Sequence, residues 1–376
     1  MQNTSFSLSD VSTREPRAAR RARILSIWLF VMCALVALMV IVGGATRLTD
    51  SGLSITEWRP VTGAVPPLSA ADWDAEFEKY KQIPEYQLVN EGMSLSAFKT
   101  IYWWEWGHRF LGRLVGAAFV FPFAVFVAMG WVGRSLGVKL LALLALGGAQ
   151  GALGWYMVQS GLTERVDVSQ YRLAAHLGLA IVLFAALFWT ALSLRRPTSA
   201  ALSTIGKWGV ALAGLVYAQM ILGAFVAGLR AGRAYTTWPL MDGEFVPSAY
   251  FVGAPRVSDA FETIAAVQFN HRIGAYVVAL AGVAFFFLAR KTQSQRDARW
   301  VLSAIIAQIV LGIATVVSAT PLALGLLHQA GALAVFATAL YAAYGSRASK
   351  SMTVSSSSSS SASSPIDRRL TGAPAG

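Results

Sequence analysis

The chain has 376 residues, of which 55% are hydrophobic and 13% charged. No ordinary soluble domain has that balance, so a length that would allow two soluble domains is read instead as one polytopic membrane protein. The formal net charge of +12 would suit nucleic acid only if the cations shared one footprint, and the single cysteine, Cys33, excludes an intrachain disulfide and a multi-cysteine metal site.

The first 23 residues are polar and arginine-rich. They lack a small-residue cleavage site behind a short apolar core, which predicts a retained first helix and not a signal peptide. Eight apolar runs of roughly 20 residues then predict an all-α fold with transmembrane helices near 24–44, 109–129, 138–158, 173–194, 206–228, 271–289, 300–319 and 321–344. Long polar loops are expected at 45–104 and 229–270. Gly43-Gly44 and the residues after them are expected to form an ordered flap. The organisation that follows is a basic arm 1–23, a four-helix half 24–194, a linker 195–207, a second half 208–344 and a tail 345–376. The serine run in that tail predicts disorder.

Charge sets the orientation. Segments 1–23, 131–139, 195–207, 290–299 and 346–376 hold 18 of the 31 Lys+Arg and 4 of the 19 Asp+Glu. These are the two termini and every second connection, so the positive-inside rule assigns them, both termini included, to the cytoplasm. Cations scattered over five segments form no nucleic-acid footprint. The expected surroundings are lipid, in a bacterial inner membrane, and an oligomer is left open.

The chain also repeats itself. Gly43, Gly52, Thr56 and Trp58 recur 180 residues on as Gly223, Gly232, Thr236 and Trp238. His108-Arg109 matches His271-Arg272, Gln150 and Gly154 match Gln308 and Gly312, and His176 matches His328. Four crossings return a chain to its starting side, so the pattern implies two parallel four-helix repeats about an axis along the membrane normal.

His108, His176, His271 and His328 are the only histidines, and each falls near the start of an even-numbered predicted helix. All four therefore lie towards the outer, periplasmic side, two in each half. A haem between two helices with an axial imidazole from each side suits that arrangement. A lone intramembrane histidine is as often an interhelical hydrogen-bond donor, but four matched in depth and paired by repeat argue for ligation. Zinc would want further ligands from one cluster.

The stretch 101–114, I-Y-W-W-E-W-G-H-R-F-L-G-R-L, puts Glu105 one helical turn before His108 amid interfacial aromatics. In the second half its counterpart is Gln268, so only one half carries an ionisable group beside its histidines. That asymmetry suits a catalytic half and a cofactor half; the plainer alternative is that Glu105 caps a helix start. Arg109, Arg113 and Arg272 are placed to meet haem propionates or, equally, to snorkel to lipid headgroups. Gln150, Gln219 and Gln308, each with glycine four residues later, are read as interhelical packing and amide bonds.

The motif G-G-A-T-R-L-T-x-S-G-L-S-I-T-E-W from Gly43, the stretch I-Y-W-W-E-W-G-H-R-F-L-G-R, and the later N-H-R and L-H-Q-A elements resemble the haem A synthase family. The likeness runs from about residue 24 to 344 and is to the proteobacterial and mitochondrial type, without a loop cysteine pair. The resemblance implies oxidation of the C8 methyl of haem O to the formyl of haem A for terminal oxidases. It implies that His271 and His328 ligate a permanent haem b, that His108 and His176 ligate the substrate haem iron, and that Glu105 is the catalytic acid. A haem O synthase and cytochrome oxidase assembly factors are implied as partners. Two other classes fit the same histidines: a di-haem b membrane cytochrome in quinone-linked electron transfer, and a haem carrier.

Overall fold

The computed structural model describes residues 8–162, 165–198, 200–250 and 259–347, with side chains from residue 17 onward. The serine run and the rest of the tail from 348 lie outside them. Among the described residues there is no strand, only two isolated bridges, and the chain is built from eleven α-helices. Eight of these are long and apolar enough to cross a membrane: α1 (Leu8–Leu48), α4 (Leu95–Ala128), α5 (Arg134–Gln159), α6 (Gln170–Arg195), α7 (Thr204–Gly228), α9 (Ile264–Ala289), α10 (Gln295–Val317) and α11 (Leu322–Gly345). The short ones are α2 (Ala70–Tyr80), α3 (Pro84–Leu88) and α8 (Asp259–Glu262). The chain is an all-α polytopic membrane protein.

Helix bounds differ from expectation most at α1, α4 and α9, the last beginning at Ile264 and not at residue 271. Helix α1 begins inside the segment expected to be a polar arm, and it runs on through Gly43-Gly44, so those glycines are helical and not part of a flap. Helix α4 starts at Leu95, well before residue 109, because Ser94 caps it by accepting from the Ala97 amide at 3.2 Å. Phe98, Tyr102 and Glu105, at helical spacing, supply its buried stripe. Mean hydropathy fades in this stretch; amphipathic periodicity does not.

The expected loop 45–104 is therefore largely helical. Ser69 and Asp72 close a capping box on α2. Trp73, Phe77 and Tyr80 of α2 pack on Phe98 and Tyr102 of α4, with the Phe77 and Phe98 rings stacked 4.9 Å apart. Aromatic pairs of this kind add about 1 kcal/mol each beyond area burial. Leu53 and Ile55 join the cluster and draw the chain after α1 down onto α4.

In the bundle, α1 packs on α4, α6 and α11, while α7 packs on α9, α11 and α6; α5 bridges α4 to α6, and α10 bridges α9 to α11. The core runs along the central helices through Leu29, Ile181, Leu187, Val216 and Phe336. Helices α4 and α5 leave Phe121, Val125, Val138 and Leu141 exposed, as lipid-facing surfaces do. Buried hydroxyls tie helices together: Ser26 Oγ donates to the Ala191 carbonyl at 2.9 Å.

Candidate haem-binding sites

Each histidine rests on a glycine of the preceding spanning helix. A Cβ on Gly154, Gly223 or Gly312 would come within 2.9, 3.1 and 2.8 Å of Cε1 of His176, His271 and His328. A Cβ on Gly43 would come within 3.1 Å of Nε2 of His108. Bare Cα positions thus let four imidazoles lie against neighbouring backbones. His176 and His328 lie in the second turns of α6 and α11, and His271, expected at the very start of its helix, lies two turns inside α9 because that helix begins at Ile264. His108 lies deeper along its own helix, because α4 is extended.

The glutamines one turn before three of those glycines reach the same histidines. Gln150, Gln219 and Gln308 donate through Nε2 to the backbone carbonyls of His176, His271 and His328 at 3.0, 2.8 and 2.8 Å. The same nitrogens stand 3.2, 3.1 and 3.0 Å from the three Nδ1 atoms. These residues, read from sequence as interhelical packing and amide bonds, make those bonds to the histidines. What sequence reasoning missed is that each lies one helical turn from a histidine-packing glycine.

The imidazoles of His271 and His328 face one another with ring centroids 6.3 Å apart and planes 80° to each other. A metal bound to imidazole nitrogen stands about 2 Å from it, and that nitrogen about 1 Å from its ring centroid, so an iron between two imidazoles needs centroids about 6 Å apart. With Nδ1 engaged by a glutamine, Nε2 is the nitrogen left for the metal, and a ring so bound carries its proton on Nδ1. Among the described residues the Oε1 atoms of Gln150, Gln219 and Gln308 are buried without a partner, and turning an amide over would offer that proton an acceptor in exchange for the bond to the histidine's own carbonyl. The residues of the second half fit a haem held by two axial imidazoles. His108 and His176 project from α4 and α6 of the other four-helix group.

Glu105 is 2% exposed and fully engaged. Its Oε2 accepts from Ser54 Oγ and from the Ile55 amide, both at 2.8 Å, and its Oε1 from Arg109 Nη2 at 2.6 Å. Glu105 is well inside α4, so it is not a cap. The partners of its oxygens come from the chain just after α1, brought over by the aromatic cluster. In the other half, Gln268 Nε2 donates to the Tyr235 carbonyl at 2.9 Å, and Gln268 Oε1 is buried without a partner. A carboxylate takes up two donors from the loop where an amide serves as a single donor to it.

The arginines hold loops. Arg109 donates to the Glu57 and Ile55 carbonyls, Arg113 to those of Pro60 and Arg59, and Arg272 to those of Leu240 and Tyr235. Arg113 Nη1 and Trp106 Nε1 remain buried donors without partners. Both residues line a cavity of about 420 Å³ between α4 and the chain before it, together with Arg109 and Lys79. In the same cap, outside the spanning segments, Glu85 is 3% exposed. Burial pushes its carboxyl up to about 8, against the bond it accepts from Tyr80 Oη at 3.2 Å.

Comparison with known proteins identifies the family. Residues 26–340 match the family model described as cytochrome oxidase assembly protein. The haem A synthase of Parvibaculum lavamentivorans is 55% identical over 315 residues, covering 84% of this chain and 92% of that one. Those of Nitrosospira multiformis and Azorhizobium caulinodans are 49% and 50% identical over 326 and 332 residues, covering 84% and 86% of this chain and 92% and 95% of theirs. With likeness of that depth running through every spanning helix, the chain belongs to the haem A synthase family of cytochrome oxidase assembly proteins.

Proposed function

We propose that this protein is a haem A synthase that oxidises the C8 methyl group of haem O to a formyl group. The observation that carries this reading is four glycine-backed imidazoles, two in each four-helix group, with a buried carboxylate one helical turn before only one of them. His108 and His176 hold the iron of the substrate in the half formed by α1, α4, α5 and α6. The half formed by α7, α9, α10 and α11 holds haem b through His271 and His328, and that group supplies one-electron transfer when bound.

The chemistry at the methyl carbon is two successive hydroxylations to a geminal diol, which loses water to the aldehyde. With water as the oxygen source, the methyl group and one net water become the formyl group, four protons and four electrons, and the electrons leave to an acceptor outside the chain. Glu105, one turn from His108, receives protons, and its bonds from Arg109, Ser54 and the Ile55 amide hold the carboxylate in place. Arg113, with a free buried Nη1 on the cavity, serves a propionate. Arg109 and Arg272 act mainly by fastening loops.

The two groups of helices are parallel repeats, and contacts between equivalent positions support this. Arg47 donates to the carbonyl of Ala227, 180 residues away, and Arg230 pairs with Asp50 at the same separation. Such self-equivalent contacts arise where a two-fold axis passes between repeats. Both termini face the cytoplasm, and the haem sites lie towards the periplasmic side of the inner membrane. Haem O arrives from its own synthase, and haem A leaves to oxidase assembly.

A pyridine haemochrome spectrum of the purified protein tests the assignment. Haem b with haem O and haem A supports it. Haem b alone indicates a di-haem cytochrome, and a haem lost without oxidation indicates a carrier.

A further inference from the structure

Three of the four histidines share one mode of support, and the fourth does not. His176, His271 and His328 each have a glutamine amide at Nδ1 and at their own carbonyl, and each turns Cε1 towards its glycine. One turn before Gly43, where the other three helices carry Gln150, Gln219 and Gln308, α1 carries Met39. Its thioether methyl reaches α4 one turn beyond His108, 3.8 Å from where a Cβ on Gly112 would lie. Methionine offers an imidazole neither a donor nor a useful acceptor. Accordingly, His108 makes no side-chain hydrogen bond among the described residues, and its ring is turned so that Nε2 and not Cε1 approaches the glycine.

We propose that Met39 makes His108 the releasable axial ligand, so that the substrate site opens on the α4 side while His176 keeps its grip. This deepens the haem A synthase reading and rests on it. A histidine whose second nitrogen is hydrogen-bonded is fixed in tautomer and direction, and loss of such a partner costs metal binding about 10- to 100-fold. A resident cofactor needs two fixed ligands, and Gln219 with Gln308 supplies them. A substrate that enters and leaves as a large planar molecule needs one ligand that lets go. Gln150 and Gln219 are in these terms positioning residues, and Met39 is the absence of one.

Carbon monoxide is the probe, because it binds ferrous haem only where an axial ligand leaves. In the purified, reduced, haem-loaded protein, carbon monoxide should bind the haem of the first half and spare haem b; their different absorption bands separate the two. Met39→Gln, nearly isosteric, should slow carbon monoxide binding to the first half about tenfold, the lower end of what a lost partner costs. Gln219→Met should let carbon monoxide reach haem b at an unchanged first-half rate. If both variants carry full haem and bind carbon monoxide as the parent does, the proposal is overturned. If Met39→Gln fails to accumulate, Gln219→Met alone decides, since haem b still closed to carbon monoxide removes the role of the glutamine. A first-half haem that survives His108→Ala and His176→Ala would instead remove the haem A synthase assignment of that site.

Discussion

The two halves solve one packing problem with different polar chemistry. In each, a histidine and an arginine on neighbouring positions of a spanning helix meet the chain that leaves the previous one. At the second site the helix offers Gln268, which gives one bond to the Tyr235 carbonyl. At the first it offers Glu105, which draws Ser54 Oγ, the Ile55 amide and Arg109 around it. The first half also carries α2 and α3 as a cap, where the other has only short turns and α8 among its described residues. The half expected to do chemistry has the charge, the cover and the less supported histidine. The half expected to hold a cofactor is more uniform.

The largest effect expected from breaking this comparison is at the second site. His271→Ala should abolish the haem b spectrum, because a single imidazole remains opposite a void; a normal haem b content in that variant would undo the assignment. Next is Glu105→Gln, which copies the second half into the first. It should leave pigment bound and lower the haem A yield about a hundredfold or more, the scale of losing a positioned proton acceptor. Haem A formed at the parental rate would retire Glu105 from the chemistry.

Gly223→Ala should be milder. Its new methyl, within about 3 Å of the His271 ring, forces the imidazole to shift, so haem b should be retained at reduced occupancy with a shifted spectrum. An unaltered spectrum and occupancy would show that the close approach does not set the ligand geometry. The smallest effect expected concerns the cap alone. The Glu85 carboxyl is raised in the folded protein, so the folded state binds the proton where the unfolded chain has released it. Stability from this residue is full below the ordinary carboxylate range and is lost as pH rises towards about 8. Glu85→Gln should flatten the fall in Tm across that window, and an unchanged pH profile would place the titration elsewhere.

Much of the architecture could be read directly along the chain. Hydrophobic length is a local property, so the eight spanning helices followed from it, and the 180-residue recurrence pointed to two halves. Local reading failed where composition and periodicity disagree. The stretch 95–108 is too polar and aromatic to register as a spanning helix, yet Phe98, Tyr102 and Glu105 keep a helical stripe that α2 covers. For the same reason the plainer alternative for Glu105, a cap at a helix start, fails: it is a buried acceptor well within α4.

What only the tertiary structure decided is who touches whom. The bonds from Ser54 and Ile55 to Glu105 cross about 50 residues of chain, and those from the glutamines to their histidines join different helices. The sequence by itself determined that four histidines lie near the starts of every second apolar run, with one acid a helical turn before the first of them. Hydrogen bonds are short and directional, and hydropathy is neither, so their pairing waited on packing that brings distant backbones within 3 Å. The place of Met39 among three glutamines acquired meaning only once those three were seen to hold imidazoles.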